Sequence, residues 1–174
     1  MPIIANTTII SNFAGVRQLQ LLQLLWKEIY LSDQVFNEIQ AGLMQGYEFY
    51  DGIEQLIFPF SQTGWLHLTA PNTMDEFRTL AKLLEKLDGG EASCLAIACH
   101  RQWAFLSDDK AARKAAAALD VPFSGTIGVL ISLIKHNHLS LIEADTILLH
   151  MVKLGYHSPV ISLQQILQEG PWLS

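Results

Sequence analysis

Residues 103–130 read WAFLSDDKAARKAAAALDVPFSGTIGVL, and this stretch decides the fold. Trp103 to Leu106 is a short apolar run that predicts a buried strand, and the alanine-rich stretch that begins at Ser107-Asp108-Asp109 predicts a helix. Val121 to Phe123 predicts the next strand, and Gly125 to His136 predicts the next helix. Strands that alternate with helices in this way form parallel sheets, because each helix carries the chain back to the edge where the next strand begins.

The same alternation extends outward towards both ends of the chain. Three further strands are predicted, at Pro2 to Ala5, Glu28 to Leu31 and Trp65 to Thr69. Helices are predicted between and after the strands, at 6–13, 16–25, 33–43, 74–87, 91–101, 142–154 and 160–167. The aromatic-rich segment from Gly46 to Phe60 predicts a helix and a loop. We therefore expect an α/β protein with three layers, α/β/α, and a parallel sheet of about five strands.

Several predicted helices have one apolar side. In the helix from 74 to 87 that side consists of Phe77, Leu80, Ala81, Leu84 and Leu87. Apolar faces also run along residues 16–25 and 142–154, where they predict either core or an interface with another protein.

The composition is typical of one compact domain. Half of the 174 residues are hydrophobic and 16% are charged, which excludes a disordered chain. The net charge of −6 argues against binding nucleic acid by charge alone, because such binding needs many Lys and Arg contacts to phosphate. Polar residues interrupt the longest apolar stretches, 127–134 and 139–151, and no basic segment precedes the apolar N-terminus. We expect a cytoplasmic protein that does not span a membrane.

Polar clusters lie next to the predicted strands, and the carboxyl ends of parallel strands meet at one edge of the sheet. They are Asn6-Thr7-Thr8, Asp88-Gly-Gly-Glu91 and Ser107-Asp108-Asp109, and Glu38 lies in the helix after the second strand. Taken singly, each has a structural explanation. Glu91, Asp108 and Asp109 would stabilise the first turn of a helix, Asn6 and Ser107 would cap one, and Glu38 would be a solvated helix residue. Taken together, acids without matching bases favour a site for a hard cation.

These clusters resemble the PIN domain when they are read in order. The matching segments are Ile-Ile-Ala-Asn6-Thr-Thr, Val35-Phe-Asn-Glu38-Ile, Leu87-Asp-Gly-Gly-Glu91-Ala and Leu106-Ser-Asp-Asp109-Lys-Ala-Ala-Arg113. They are most similar to a branch of uncharacterised bacterial PIN-like proteins, which also has the Gly-Thr-x-Gly helix start found at Gly125. The resemblance covers about residues 2–155. We therefore predict a PIN-like domain at 1–155 and a C-terminal helical extension of the same domain at 156–174.

The resemblance implies a metal-dependent ribonuclease that uses Mg²⁺ or Mn²⁺. By position, Glu38, Glu91 and Asp109 match the acids that hold the metal and carry catalysis, Asp108 is an additional metal ligand, and Asn6 stands at the first acidic position. Thr8 and Ser107 match the hydroxyl residues of the pocket. Many relatives are toxins of toxin–antitoxin pairs, so the expected partners are RNA, a small antitoxin protein and a second copy in a homodimer.

Three basic residues follow Asp109, namely Lys110, Arg113 and Lys114. Lys110 and Lys114 are four residues apart and share one helix face, where they predict contacts with the phosphates of RNA. The alternative interpretation is a solvated helix face without a ligand.

Asn6 departs from the family pattern, because asparagine supplies an oxygen but no charge. Two interpretations follow. In the first, the remaining acids suffice, and the enzyme is slow or prefers manganese. In the second, the pocket is catalytically impaired, and the domain binds RNA or a partner protein without cutting.

Overall fold

We describe residues 1–168 of the chain as they stand in a computed structural model. The strands are β1 (Ile3–Ala5), β2 (Ile29–Ser32), β3 (Ile57–Phe58), β4 (Leu66–Thr69), β5 (Ala104–Leu106) and β6 (Phe123–Ser124). The helices are α1 (Thr7–Gly15), α2 (Gln20–Leu25), α3 (Asp33–Met44), α4 (Met74–Leu83), α5 (Gly89–Arg101), α6 (Lys110–Ala118), α7 (Thr126–Lys135), α8 (Leu141–Lys153) and α9 (Gln164–Gln168).

The six strands form one sheet in the order β3-β4-β2-β1-β5-β6, and every neighbouring pair is parallel. The central strand β1 is buried along its whole length, and its Ile4 pairs with Tyr30 on one side and Phe105 on the other. Helices flank the sheet, and α5 lies directly on β1, β2 and β5. This confirms the predicted α/β class and places the carboxyl ends of the strands along one edge.

The sheet has six strands where about five were predicted, and the additional one is β3. It follows two short 3-10 helices, Glu48–Tyr50 and Ile53–Leu56, in the segment that was predicted to hold a longer helix. Gly46 and Gly52 adopt φ angles of 91° and 77°, which a right-handed helix does not accommodate. Gly46 lies before the first of these 3-10 helices and Gly52 separates it from the second, so only short turns form here.

The predicted apolar faces divide between core and surface. Along residues 16–25, Val16, Leu19, Leu21 and Leu22 are buried, and in α8 the buried residues are Ala144, Leu148 and Met151. In α4 the apolar side is split, because Leu80 packs against the core while Phe77 and Leu84 are each 50% exposed. The helix also ends at Leu83, four residues earlier than predicted, and Leu87 is buried beyond that end.

An ion pair that the sequence did not reveal ties α4 to the end of α5. The Glu76 carboxylate is 1% exposed and lies 2.6 Å from Arg101, which also donates to the carbonyl oxygen of Ala70. The same carboxylate accepts hydrogen bonds from the backbone amides of Asn72 and Thr73 and completes the N-terminal cap of α4. The first turn of α4 is therefore fixed on the last turn of α5.

The segment after α8 is attached to the domain by hydrogen bonds and by apolar packing. Asp145 accepts hydrogen bonds from the Ser162 hydroxyl and the Leu163 amide, and the Leu163 side chain is fully buried. Tyr156 reaches the loop after β5. The predicted domain boundary at residue 155 stays a prediction, and the last six residues of the predicted extension lie outside the described part. Within residues 1–168, no helix has the length and apolar character needed to cross a bilayer.

Candidate active site

The carboxyl edge of the sheet brings together the polar clusters predicted from the sequence. Asn6 follows β1 and caps α1, Asp109 follows β5 and caps α6, and Glu91 lies in the first turn of α5. Glu38 projects from α3 towards the same first turn of α5. Four residues distant in sequence thus surround one region, because parallel strands deliver their carboxyl ends to a common edge.

Asn6 is buried, with 1% exposure, and both ends of its amide are occupied. Its oxygen accepts hydrogen bonds from the Thr8 hydroxyl at 2.7 Å and the Ile9 amide at 3.4 Å. Its nitrogen donates to the Ser107 hydroxyl at 2.9 Å. Asn6 therefore caps its own helix and ties the end of β1 to the end of the neighbouring strand β5.

Glu38 is held by two donors on different elements. One carboxylate oxygen accepts a hydrogen bond from the Gly90 amide at 3.0 Å, and the other accepts a short hydrogen bond from the Thr7 hydroxyl. A Cβ atom at position 90 would lie 2.6 Å from the first of these oxygens, so only glycine allows the contact. Thr7 was not among the hydroxyl residues predicted for the pocket, whereas Thr8, which was, turns its hydroxyl to Asn6.

Glu91 is partly buried and lies close to other acids of this edge. Burial and, to a smaller extent, the charges of Asp109, Asp88 and Glu38 together raise the pKa of the Glu91 carboxyl to about 7. The ion pairs within residues 1–168 involve none of these acids, since they join Glu28 to His67, Asp75 to Arg78 and Glu76 to Arg101. No basic side chain in that part of the chain therefore forms an ion pair with the cluster.

Asp109 has one oxygen engaged and one open. Its Oδ1 caps α6 by accepting from the Ala112 amide at 2.7 Å, and its Oδ2 accepts no hydrogen bond within residues 1–168. The Asp109 amide donates to the Ser107 hydroxyl at 3.1 Å, and that hydroxyl is completely buried. Ser107 thus connects Asn6 to the loop that carries Asp109.

Asp108 faces away from this cluster into a separate network. Its Oδ1 accepts from the Thr126 amide at 2.8 Å and from the Tyr156 hydroxyl at 3.4 Å. Its Oδ2 accepts from the Thr126 hydroxyl at 2.5 Å and from the Asn12 amide nitrogen at 3.0 Å. Burial, together with the charge and hydrogen bond of Asp108, raises the pKa of Tyr156. The sequence signal for this network was the Gly125-Thr126 helix start, but nothing in the sequence pointed to Asn12 or Tyr156.

The three predicted RNA-binding residues lie on the exposed side of α6, directly after Asp109. The Arg113 guanidinium is stacked over the ring of Phe123, 5.3 Å from its centre. Such stacking holds a guanidinium in place without neutralising its charge.

The donor set at this edge suits a hard divalent cation. All of its side chains offer oxygen, the ligand atom that Mg²⁺ and Mn²⁺ prefer, and a cation would relieve the repulsion that Glu91 experiences. The carboxylates lie near one another but do not converge on a single metal position. Residues 1–168 contain no cluster of three His, Cys, Asp or Glu side chains at ligand spacing. The residues present fit such a cation by the chemistry of their oxygen atoms.

A parallel sheet whose carboxyl edge carries acids that form no ion pair within residues 1–168 defines an α/β protein with a candidate site for divalent metal. The model of the PIN domain family matches residues 2–170, so the chain belongs to that family. PIN domains are generally nucleases that depend on divalent metal. The family model therefore confirms the predicted family membership. None of the curated proteins matches the chain.

Proposed function

We propose that the chain is a metal-dependent endoribonuclease whose cation is held by Glu38, Glu91 and Asp109. The observation that carries the proposal is the gathering of these three acids at the carboxyl edge of the sheet, where none of them forms an ion pair within residues 1–168. The raised pKa of Glu91, caused by burial and then by the charges of Asp109, Asp88 and Glu38, agrees with that placement. A bound Mg²⁺ or Mn²⁺ would stabilise negative charge on the phosphate and lower the pKa of a water molecule.

The protein's own residues supply positioning. Thr7 and Gly90 fix the direction of Glu38 before any ligand arrives, and the Ala112 amide fixes one oxygen of Asp109 while leaving the other for a ligand. Preorganisation of this kind spares the site the cost of ordering its ligands. Asp108 accepts four hydrogen bonds already, so we assign it to positioning the β5–α6 loop instead of binding metal.

RNA is the proposed substrate, and α6 is the proposed contact for its phosphates. Lys110, Arg113 and Lys114 are exposed and lie within the first turns after Asp109, so a strand bound at the acidic cluster passes close to them. Arg113 is the strongest candidate, because Phe123 already orders its guanidinium. The resemblance to bacterial PIN toxins supports a role as the toxin of a toxin–antitoxin pair, with a small antitoxin as inhibitor.

A second candidate function is binding without cleavage. It is favoured by Asn6, which brings no charge and whose oxygen already caps α1. In that case the domain binds RNA or a partner protein through a catalytically impaired pocket. The same experiment separates the two candidates.

The test is cleavage of a panel of structured RNAs in Mn²⁺ and in Mg²⁺ by the natural protein, Asn6→Asp and Asp109→Ala. Asp51→Ala, at an exposed acid outside the cluster, is the matched control. Cleavage that is lost only in Asp109→Ala supports the nuclease. Cleavage only by Asn6→Asp supports the impaired pocket, and silence of all variants on every RNA contradicts the nuclease.

Asn6→Asp is expected to fold, because its neighbours can adapt. The Ser107 hydroxyl can rotate and donate to an aspartate oxygen while still accepting from the Asp109 amide. The Thr8 hydroxyl and the Ile9 amide already donate to the oxygen at this position. A loss of folding in this variant is therefore not the expected outcome.

A further inference from the structure

The side chains of Arg113 and Phe123 form a stacked pair beside the acidic cluster. The Arg113 guanidinium lies over the Phe123 ring, 5.3 Å from the ring centre. Arg113 follows Asp109 by one helical turn, since its amide donates to the Asp109 carbonyl oxygen at 3.0 Å. Phe123 lies in β6, which pairs with β5, the strand that leads to Asp109. The pair is therefore attached to the helix and the strand that position this proposed metal ligand.

Solvent reaches both members of the pair. β6 is the last strand in the order of the sheet, and within residues 1–168 no strand pairs with its outer side. Phe123 is partly exposed, and Arg113 is exposed. A ligand that lies at the acidic cluster can therefore reach the guanidinium.

The guanidinium of Arg113 has few partners in the domain. Among residues 1–168, the arginine side chains that form ion pairs or donate hydrogen bonds are Arg78 and Arg101. Arg113 is instead held by the ring beneath it. One face of its guanidinium rests on Phe123, so the other face and the N–H groups at its rim are free for a ligand.

A guanidinium plane that rests on an aromatic ring suits a flat ligand. Bases of single-stranded RNA stack on aromatic rings and on arginine planes, and such stacking works for every base because every base has a π-face. A base inside a duplex is already stacked between its neighbours, so only an unpaired base can make this contact.

We propose that the outer face of the Arg113 guanidinium stacks on one unpaired nucleobase of the bound RNA, and that Phe123 positions the guanidinium for this contact. The inference rests on the proposed ribonuclease function and adds recognition of a base to the contacts with phosphate. The two kinds of contact are compatible, because the face of the guanidinium stacks while its rim donates hydrogen bonds.

The charges beside the pair favour RNA over an uncharged flat ligand. Lys110 is three residues before Arg113, so the two side chains are neighbours on the helix, and Lys114 follows Arg113 directly. All three side chains are exposed. A flat surface bordered by ammonium groups fits a base that is joined to phosphates.

The test compares the binding of two labelled RNAs by fluorescence anisotropy. One is a short oligoadenylate, and the other is an abasic oligonucleotide of the same length, which has the same phosphates but no bases. Ca²⁺ replaces Mn²⁺ in the binding buffer, and a gel run afterwards checks that both RNAs are intact. The natural protein is expected to bind the oligoadenylate about tenfold more tightly than the abasic oligonucleotide.

Arg113→Lys separates stacking from charge, because lysine keeps the positive charge and has no flat face. It should weaken binding of the oligoadenylate about tenfold and leave the affinity for the abasic oligonucleotide nearly unchanged. Phe123→Leu should act in the same direction, since it removes the ring that positions the guanidinium. Lys110→Ala is the matched control, and it should weaken binding of both RNAs by the same factor because it removes a contact with phosphate.

Three results overturn the proposal. They are equal binding of the two RNAs by the natural protein, binding of neither, and an Arg113→Lys variant that still prefers the oligoadenylate as strongly as the natural protein does. RNA cleavage in Mn²⁺ is measured separately on the same proteins. Cleavage without any preference for bases overturns the stacking site and leaves the nuclease standing, whereas a preference for bases without cleavage does the reverse.

Discussion

The Glu38 carboxylate rests directly on the backbone of Gly90, with a hydrogen bond of 3.0 Å from the Gly90 amide and no room for a Cβ atom between them. The glycine-glycine pair at the start of α5 is therefore more than a break between two helices. Its second member brings the α5 backbone into contact with an acid from α3 and joins two parts of the candidate site.

Gly90→Ala is expected to displace Glu38 and to weaken Mn²⁺ binding about tenfold or more, as changes that disturb a metal ligand's support commonly do. Gly89→Ala is the matched control, since a Cβ atom there would lie 3.5 Å from the nearest Gln34 oxygen, an ordinary contact. Calorimetric titration of Mn²⁺ into both variants checks the difference. Equal affinity in the two variants would contradict the assignment of Glu38.

Glu91 should make the metal-free protein less stable as the pH rises. Its pKa is raised from 4.5 to about 7 in the folded state, so the folded protein holds this proton more tightly than the unfolded chain. The stabilisation is complete below about pH 4.5 and is lost as the pH rises through about 7. Melting temperatures measured in a chelator between pH 5 and about 8 should show this fall. In Glu91→Gln the fall should be absent, and an unchanged slope in that variant would refute the prediction.

Ionised Glu76 should stabilise the folded protein, and this stabilisation should be lost at low pH. Burial alone would raise its pKa, but the hydrogen bond from Arg101 and those from the Asn72 and Thr73 amides outweigh burial and lower it. Its contribution to stability is therefore present above the unfolded pKa and is lost as the pH falls through the lowered value.

Glu76→Gln is expected to lower the free energy of unfolding by about 2 kcal/mol, because Arg101 keeps its charge and loses its partner. Asp75→Asn breaks the exposed pair with Arg78 and should change the same free energy by less than about 0.5 kcal/mol. Urea denaturation of the two variants at neutral pH is the measurement. If Glu76→Gln lowered the free energy of unfolding as little as Asp75→Asn, the buried pair of Glu76 and Arg101 would contribute little to stability.

Asp108→Asn tests whether Asp108 positions the β5–α6 loop or binds the metal. Asparagine cannot accept all four hydrogen bonds that Asp108 accepts, so a loss of about 2 kcal/mol in unfolding free energy is expected, with Mn²⁺ affinity nearly unchanged. Asp109→Asn should show the reverse pattern, with a large loss of Mn²⁺ affinity. A strong loss of affinity in Asp108→Asn would instead support the original prediction that Asp108 binds metal.

The alternation of apolar runs and helices predicted the fold well, because each of the five predicted strands is a short apolar run between polar breaks. β3 escaped prediction since it is two residues long and forms only by pairing with β4. The sequence also predicted one site at the carboxyl edge for Asn6, Glu38, Glu91 and Asp109. Asn6 and Asp109 follow strands that end there, and Glu38 and Glu91 lie in helices that border the same edge.

The directions of the side chains could not be predicted from the sequence. Thr7 and Thr8 are adjacent, yet one contacts Glu38 and the other Asn6, and about 100° of helix rotation separates them. Asp108 and Asp109 are also adjacent and lie in different networks. In α4, periodicity identified the apolar side but could not say that the rest of the domain covers only half of it.

The network around Asp108 has a consequence for how the protein is made. Its partners lie 96 residues earlier, at Asn12, and 18 and 48 residues later, at Thr126 and Tyr156. During translation the ribosome releases Asp109 well before Tyr156, so for a time the loop that carries Asp109 lacks one of the partners of Asp108. That loop gains all of its hydrogen bonds only after Tyr156 has emerged and packed against it.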